Sequence, residues 1–485
     1  MNLSTEQLYA LDLFKKGKNV LITGPGGTGK TVLIEYLVEH SNKMGIKPQV
    51  CALTGCATIL LPKICNARTL HSWSGIRLCR GENKTIIDTA LKNKRIKASW
   101  KKTRVLIIDE ISMMSMKILE VLNTIGQLAR GNQMPFGGIQ IVFLGDFYQL
   151  PPVGNIGDPS TDKFCFESKL WPTIFPIKNI VVLKTIFRQR DPEYKEILSQ
   201  IRVGCLTQKN CKRLQDCVGR EFDEDKYNGC KPTKLFPTRA KTDYLNNTMF
   251  AKLEGQVYHF QQVRKKDCKT YIESNKPLSL AHMKKCENLH ETVIEYELQQ
   301  LLNNSSNQDT LSLKKGAIVM CTVNLDMDNG ICNGSQGYVS DFIETPQGQL
   351  PEVTFVNGVK KTLGFHHVQS EEYPSIAIGY IPLCLAWALT IHKIQGATLI
   401  MADIDVGNQI FECGQTYVAL SRVQSLEGLY LSAFNPDKIR INMNVEKFYK
   451  SIPENDYKLE ESVFKQFELQ EEEYVKDPTI KVIRL

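Results

Sequence analysis

The segment Gly24-Pro25-Gly26-Gly27-Thr28-Gly29-Lys30-Thr31 separates a strand-like run, Val20-Leu21-Ile22-Thr23, from a helix-like run, Val32-Leu33-Ile34-Glu35-Tyr36-Leu37-Val38. An apolar strand that passes through a glycine-rich turn straight into a helix is the first half of a βαβ unit, so it commits the chain to a parallel, helix-covered sheet. The glycines let the backbone curl until its N–H groups point inward, and the helix start adds a positive dipole end, which together make a cradle for anionic oxygens. In this pattern Lys30 reaches the β- and γ-phosphates and Thr31 holds magnesium, so a nucleoside triphosphate such as ATP is the expected ligand.

Other short apolar runs, Val105-Leu106-Ile107-Ile108, Ile139-Gln140-Ile141-Val142-Phe143-Leu144 and Ile180-Val181-Val182-Leu183, alternate with helical patterns and extend the α/β reading. Residues 312–365 differ: short runs broken by Gly316, Gly330, Gly334, Gly337, Gly348 and Gly358 predict a small antiparallel barrel, inserted because an α/β pattern resumes at Ile381. With 485 residues, 42% of them apolar, the chain has the material for about two to four domains with real cores.

The net charge of +8 permits a polyanionic partner without requiring one. The fifteen cysteines include no CxxC pair, and the densest group, Cys205, Cys211, Cys217 and Cys230, is spaced as reduced thiols rather than as a metal site. The N-terminus has no secretory or mitochondrial signal pattern, and the most apolar segment, Ile376 to Ile391, is too short to span a membrane and contains Pro382. Cytoplasm or nucleus, including that of a virus-infected cell, is the expected location. Lys84 to Arg104 carries eight basic residues against Asp88, readable as a nucleic-acid track or as a solvated helix packed by Ile87, Leu91 and Trp100. Glu454 to Asp477 carries nine acids against three lysines and is expected to be a peripheral helix or end.

The strand-like run at 105–108 ends in Asp109-Glu110, where an α/β sheet presents ligands. Asp109 suits a magnesium shell, and Glu110 suits orienting and deprotonating an attacking water. The next such run ends in Gly145-Asp146-Phe147-Tyr148-Gln149-Leu150-Pro151-Pro152, where Gln149 is placed to sense the γ-phosphate. Arg188 and Arg422, each following an apolar stretch far along the chain, fit cations aimed at the charge that spreads over a transferring phosphoryl group.

These motifs, with Thr390-Ile391-His392-Lys393-Ile394-Gln395-Gly396 and Tyr417-Val418-Ala419-Leu420-Ser421-Arg422, stand in helicase order. Together with Ile108-Asp109-Glu110-Ile111-Ser112-Met113-Met114 they make residues 3 to about 435 resemble the petite-integration-frequency (Pif-type) DNA helicases of superfamily 1B, relatives of the RecD helicases. The resemblance implies an α/β fold of two RecA-like P-loop domains with parallel sheets. The first would span 1–184 with a small insertion near 66–82. The second would span 185–256 and 376–450, with an inserted unit at 257–375 holding an SH3-like β-barrel, before an acidic tail at 451–485. It also implies ATP-driven 5′-to-3′ movement on single-stranded DNA with unwinding of duplex or forked DNA. A monomer or weakly self-associating protein is the expected state.

By the same resemblance Gln7 reads adenine, although Ser4 and Gln7 also fit a capping box. Thr54, Gly55, Thr69 and His71 in the first domain and Thr390, His392 and Lys393 in the second would hold the DNA backbone. Phe147 and Trp73 are candidates for base stacking, with burial in the core as the alternative. Cys56, Thr58 and Ile394 depart from the family pattern, which bears on DNA-contact geometry and not on hydrolysis. An RNA-directed superfamily 1 helicase and an ATP-switched single-strand binder without unwinding are the competing readings.

Overall fold

The computed structural model describes residues 3–454 and Tyr457, apart from 156, 224–230, 273, 305–308, 327–328, 347 and 371. The acidic tail beyond Glu454, Tyr457 excepted, and Cys230 lie outside the described residues.

The first sheet is parallel, with β1 (Val20–Thr23), β2 (Gln49–Ala52), β3 (Arg68–Thr69), β4 (Val105–Asp109), β5 (Gln140–Gly145) and β6 (Ile180–Val182) in the order β3-β2-β4-β5-β1-β6. Its central strands β1, β4 and β5 are largely apolar because both faces are covered. Leu21, Leu106 and Ile108 point into one core, while Val20, Ile22, Val105 and Ile107 point into the other. The helices α1 (Thr5–Lys15) and α2 (Lys30–Lys43) close the second face through Ala10, Phe14, Leu33, Ile34 and Leu37. On the opposite face lie α3 (Asn83–Lys92), α4 (Lys94–Lys102) and α5 (Met116–Arg130). In this basic stretch Ile87 and Trp100 are buried in the core and Leu91 packs against it, whereas Lys84, Lys92, Lys94, Lys97, Lys101, Lys102 and Arg104 are exposed. The segment near 66–82, expected as a small insertion, supplies the edge strand β3 and the short helix Leu70–Ser74, whose Trp73 joins the same core.

A second parallel sheet orders Ala388–Thr390, Thr233–Phe236, Ala402–Val406 and Leu429–Phe434. The helix Gln415–Leu420 is buried along its whole length against it. Between these halves lies an antiparallel unit whose main sheet runs Lys360–Thr362, Gly348–Phe355, Gln336–Thr345, Ile318–Cys321, Leu383–Leu385. The strands Ala377–Tyr380 and Leu383–Leu385 pair within this unit, and Ile378, Tyr380, Ile381 and Leu383 are buried in its core. The inserted unit therefore runs to Leu385 rather than stopping at 375, and the parallel pattern resumes at Ala388 rather than at Ile381.

The helix Met443–Ser451 was expected to close the second α/β domain, but it packs on the first. Val445 is buried in the first domain's core, and Phe448 stacks on Phe166 at 4.5 Å and meets Phe147 edge-on at 5.3 Å. Beyond it, the Tyr457 hydroxyl accepts from Val182 N at 2.7 Å. No helix among the described residues is long and apolar enough to cross a membrane.

Candidate nucleotide cleft and nucleic-acid track

The loop Gly24–Thr31 joins β1 to α2 at the C-terminal edge of the first sheet, and two of its glycines are sterically required. A Cβ on Gly24 would lie 2.4 Å from Leu183 O, and one on Gly27, at φ +82°, would lie 2.6 Å from the Arg188 Cβ. The loop is thus wrapped closely by the segment that leads into the second domain, whose Phe187 donates its N–H to Gly27 O at 2.8 Å. Lys30 Nζ donates to Gly24 O at 2.8 Å and Pro25 O at 2.9 Å. Burial lowers the Lys30 pKa, opposed by the nearby carboxylates of Asp146, Glu110 and Asp109.

Around this loop a cleft is lined by Gln7, Gly26, Gly27, Gly29, Lys30 and Thr31 from the first domain's loop and first helix, and by Asp109, Glu110 and Gln149 from the ends of β4 and β5. Phe187, Arg188, Gly396 and Arg422 close its other wall. Every candidate for the phosphate chemistry is therefore brought to one place. Burial and the adjacent Glu110 push the Asp109 carboxyl up to about 7, while the Glu110 N–H, donating to Asp109 Oδ1 at 2.9 Å, pulls against that shift. Glu110 itself sits at φ +56°, a left-handed conformation uncommon for a residue with a Cβ. Gln149 is buried, and its Oε1 has no hydrogen-bond partner among the described residues.

The donor set fits magnesium. No cluster of three or more His, Cys, Asp or Glu side chains able to hold a metal occurs among the described residues. Magnesium, however, takes one or two protein oxygens plus phosphates and water, and Thr31 and the buried carboxylate of Asp109 line the same cleft.

Arg188 donates to Ser421 O at 3.3 Å and Gly396 O at 3.4 Å, while Arg422 is held by Val418 O at 2.9 Å and Ser421 Oγ at 2.7 Å. Burial, and the mutual proximity of the two guanidiniums, lower the Arg188 pKa to about 9, so it stays a cation at neutral pH. Gln7 forms the expected capping box and also lines the cleft. Its Oε1 accepts from Ser4 N at 2.9 Å, completing the capping box, and its Nε2 donates to Thr28 O at 3.2 Å at the cleft wall.

The residues expected to hold a nucleic-acid backbone lie at the C-terminal ends of strands in both sheets. Thr54 Oγ1 accepts from Ala57 N at 3.2 Å and so caps the helix Gly55–Leu60, and the buried Thr69 precedes the helix carrying His71. Thr390 Oγ1 accepts from Lys393 N at 3.2 Å, His392 stacks on the exposed Phe411 at 6.5 Å, and Lys393 is exposed. Burial lowers the pKa of both His71 and His392, which makes them neutral donors at pH 7. Phe147 and Trp73 are not available for base stacking. Phe147 is enclosed by Phe164, Phe166, Trp171 and Phe448, and Trp73 lies against Trp100 at 4.6 Å.

Four further residues complete the site. Gln395 and Tyr417 lie inside motifs already noted, and their polar ends in apolar runs were the signal: Gln395 Nε2 donates to Glu110 Oε2 at 3.1 Å, and Tyr417 Oη accepts from Gly26 N at 2.9 Å. Arg202 and Tyr449 carried no local signal. Arg202 makes a two-pronged bond to the buried Asp146 at 2.9 and 2.8 Å, and Tyr449 Oη meets Thr23 Oγ1 at 2.6 Å.

Two parallel sheets whose strand ends face each other across one phosphate loop define a P-loop nucleotide-binding protein of the two-domain, RecA-like kind. The family model of the PIF1-like helicase matches residues 2–210, and that of the DNA helicase Pif1 2B domain matches residues 298–342. The ATP-dependent DNA helicase RRM3 of Saccharomyces cerevisiae is 31% identical over 93% of this chain and 68% of its own length. The chain belongs to the PIF1-like helicase family. The first curated relatives are longer, and the match spans 61 to 68% of their length. Among solved structures, the Pif1 helicase of Candida albicans is 32% identical with a TM-score of 0.70, covering 93% of this chain and all of that one. The Bacteroides Pif1 helicase in complex with ADP-AlF3 and single-stranded DNA is 27% identical with a TM-score of 0.60, covering 93% of this chain and 98% of that one.

Proposed function

We propose that this chain is an ATP-dependent DNA helicase that moves 5′-to-3′ on single-stranded DNA and unwinds the duplex ahead, in replication, repair or recombination. The observation that carries this reading is the shared cleft: Lys30, Asp109, Glu110 and Gln149 face Arg188, Gly396 and Arg422 across it. A site divided between two domains converts the charge of its ligand into a domain movement, because guanidiniums on one side are drawn to phosphates held on the other.

In this mechanism Lys30 and the loop amides hold the β- and γ-phosphates, and Gln7 contacts the base. Thr31 and Asp109 would hold magnesium, which would supply neutralisation of the phosphate charge. Glu110 orients and deprotonates the attacking water, Gln149 senses the γ-phosphate, and Arg188 and Arg422 stabilise the transferring group. Thr54, Gly55, Thr69 and His71 grip one stretch of the DNA backbone, and Thr390, His392 and Lys393 grip another. Cleft closure and opening would advance the strand by alternating the two grips. The Bacteroides relative solved with ADP-AlF3 and single-stranded DNA supports both the nucleotide and the strand as ligands. The 5′-to-3′ direction rests on family membership. The same membership supports a 1A, 2A and inserted 2B division, with an SH3-like barrel in the last.

The test is strand separation on duplexes with a 5′ or a 3′ single-stranded tail, in DNA and RNA versions, with Lys30→Ala as the inactive control. Unwinding of 5′-tailed DNA alone is expected. Unwinding only from a 3′ tail reverses the polarity, RNA-only unwinding gives the RNA helicase reading, and DNA-stimulated hydrolysis without unwinding gives the switch.

A further inference from the structure

Tyr417 belongs to the second domain, on the helix Gln415–Leu420, yet its hydroxyl touches the phosphate loop of the first. Its ring is packed in the second domain's core and the residue is 3% exposed. A phenol has one hydrogen to give and an oxygen that accepts. Here the oxygen is used, because Gly26 donates its N–H to it at 2.9 Å. Among the described residues no acceptor for the Tyr417 O–H is found. A buried O–H without an acceptor is costly, so each such group in a folded protein calls for an explanation, a ligand or ion among them.

The surroundings identify the acceptor. A methyl carbon built on Gly26 would lie 3.5 Å from Arg422 Nη2, 3.7 Å from Tyr417 Oη and 3.8 Å from Arg188 Nη1. Three donors of the second domain and its leading segment therefore converge on one point of the phosphate loop. Two guanidiniums and a phenol, facing a loop whose own groups are N–H donors and Lys30, select an oxyanion. We infer that Tyr417 donates its hydroxyl hydrogen to the terminal phosphate of the bound nucleoside triphosphate while accepting the Gly26 N–H, and so joins Arg188 and Arg422 as a group that distinguishes triphosphate from diphosphate. This rests on the reading of the cleft as a triphosphate site. Burial raises the Tyr417 pKa to about 12, so the hydroxyl keeps its hydrogen across the physiological range. The same bond makes Tyr417 a direct strut between the loop and the second domain.

The test compares affinity for ADP with that for the β,γ-imido analogue of ATP, with magnesium, in the full chain. Tyr417→Phe keeps the packed ring and removes only the hydroxyl. A hydrogen bond to a charged acceptor predicts that the wild-type preference for the triphosphate analogue shrinks about tenfold in Tyr417→Phe, with ADP affinity changed much less. Equal weakening for both ligands would show that the hydroxyl only braces Gly26, and an unchanged ratio would show that it does neither; each overturns the assignment. Wild type that binds neither nucleotide overturns the cleft reading itself, a distinct result. Should Tyr417→Phe fail to fold, 3-fluorotyrosine at 417 decides the matter, because fluorine strengthens the phenol as a donor and weakens it as an acceptor. A wider triphosphate preference supports the inference, and a narrower one overturns it.

Discussion

Gln395 Nε2 donates to Glu110 Oε2 at 3.1 Å, a bond that ties the second domain to the acid at the end of β4. Gln395 is 8% exposed, and its motif follows directly on the strand end at Thr390. Glu110 itself is held at φ +56°, so the carboxylate is aimed by its backbone and by its neighbour across the cleft together.

That geometry separates two roles. Replacing Glu110 by Gln removes the base, and DNA-stimulated ATP hydrolysis should fall about a thousandfold with nucleotide binding retained. Replacing Gln395 by Ala leaves the base and removes one aim, so kcat should fall about tenfold with KM for ATP little changed. Steady-state hydrolysis at saturating single-stranded DNA, with nucleotide titrations, checks both. Equal losses in the two variants would argue against a positioning role for Gln395.

Gly27→Ala should cost nucleotide affinity through the loop's shape alone. The substitution asks a residue with a Cβ to hold φ +82° and puts that carbon 2.6 Å from the Arg188 Cβ. The left-handed conformation alone costs about 1–2 kcal/mol, and the clash falls on the arginine that faces the cleft. A drop of at least about tenfold in ATP affinity is expected by titration calorimetry. Affinity like that of the wild type would mean that the loop and the Arg188 segment move independently.

Arg202 and Asp146 form a buried pair, so removing one partner should be far worse than removing both. Asp146 is fully buried, and although burial alone raises its pKa, the Arg202 guanidinium outweighs that and holds the carboxyl below its usual range. Arg202→Ala leaves a buried, uncompensated charge and should destabilise the fold by about 3–5 kcal/mol at pH 7. Adding Asp146→Asn should recover part of the loss. The sign with pH follows. In the wild type the depressed pKa gives stability that is present above the unfolded value near about 4 and is lost below it. In Arg202→Ala the orphaned carboxyl has a raised pKa and is relieved as it takes up a proton. The urea-unfolding gap between the two proteins should therefore narrow as pH falls from 7 toward 4.

How much of this was legible depends on the range of the contacts. β1, β4 and β5 were readable because strands covered on both faces are continuously apolar, and the loop and the acids were readable because each directly follows such a strand. The arginines were readable only as parts of motifs, since Arg422 follows the helix Gln415–Leu420 and not a strand. The antiparallel character of the insert was readable from its glycines. Its end was not, because Ile378 to Leu385 is as apolar in an antiparallel core as in a parallel one. Thr54 and Thr390 each engage a backbone N–H near in sequence, a local use of a hydroxyl that a motif does not reveal. The return of Met443–Ser451 to the first domain was hidden most completely, since Phe448 meets Phe147 and Phe166 from nearly three hundred residues away.

That returning helix gives the last prediction. Tyr449 stacks on Tyr148 at 4.7 Å, and its hydroxyl sits 2.6 Å from Thr23 Oγ1, accepts from Phe147 N at 3.2 Å and reaches Asp146 Oδ1 at 3.2 Å. Thr23 is the last residue before the phosphate loop, and Asp146 and Phe147 lead into Gln149, so one phenol fixes the spacing between two walls of the cleft. Tyr449→Phe keeps the stack and deletes the bonds. Each lost hydrogen bond is worth about 0.5–1.5 kcal/mol, so a loss of about 1–3 kcal/mol in urea unfolding is expected. A several-fold fall in kcat should accompany it, because Gln149 is then no longer held in register with Lys30. Loss of stability with kcat unchanged would make Tyr449 a brace of the fold alone, whereas a fall in kcat measured well below the unfolding midpoint would tie the chain's last described helix to the chemistry of its first loop.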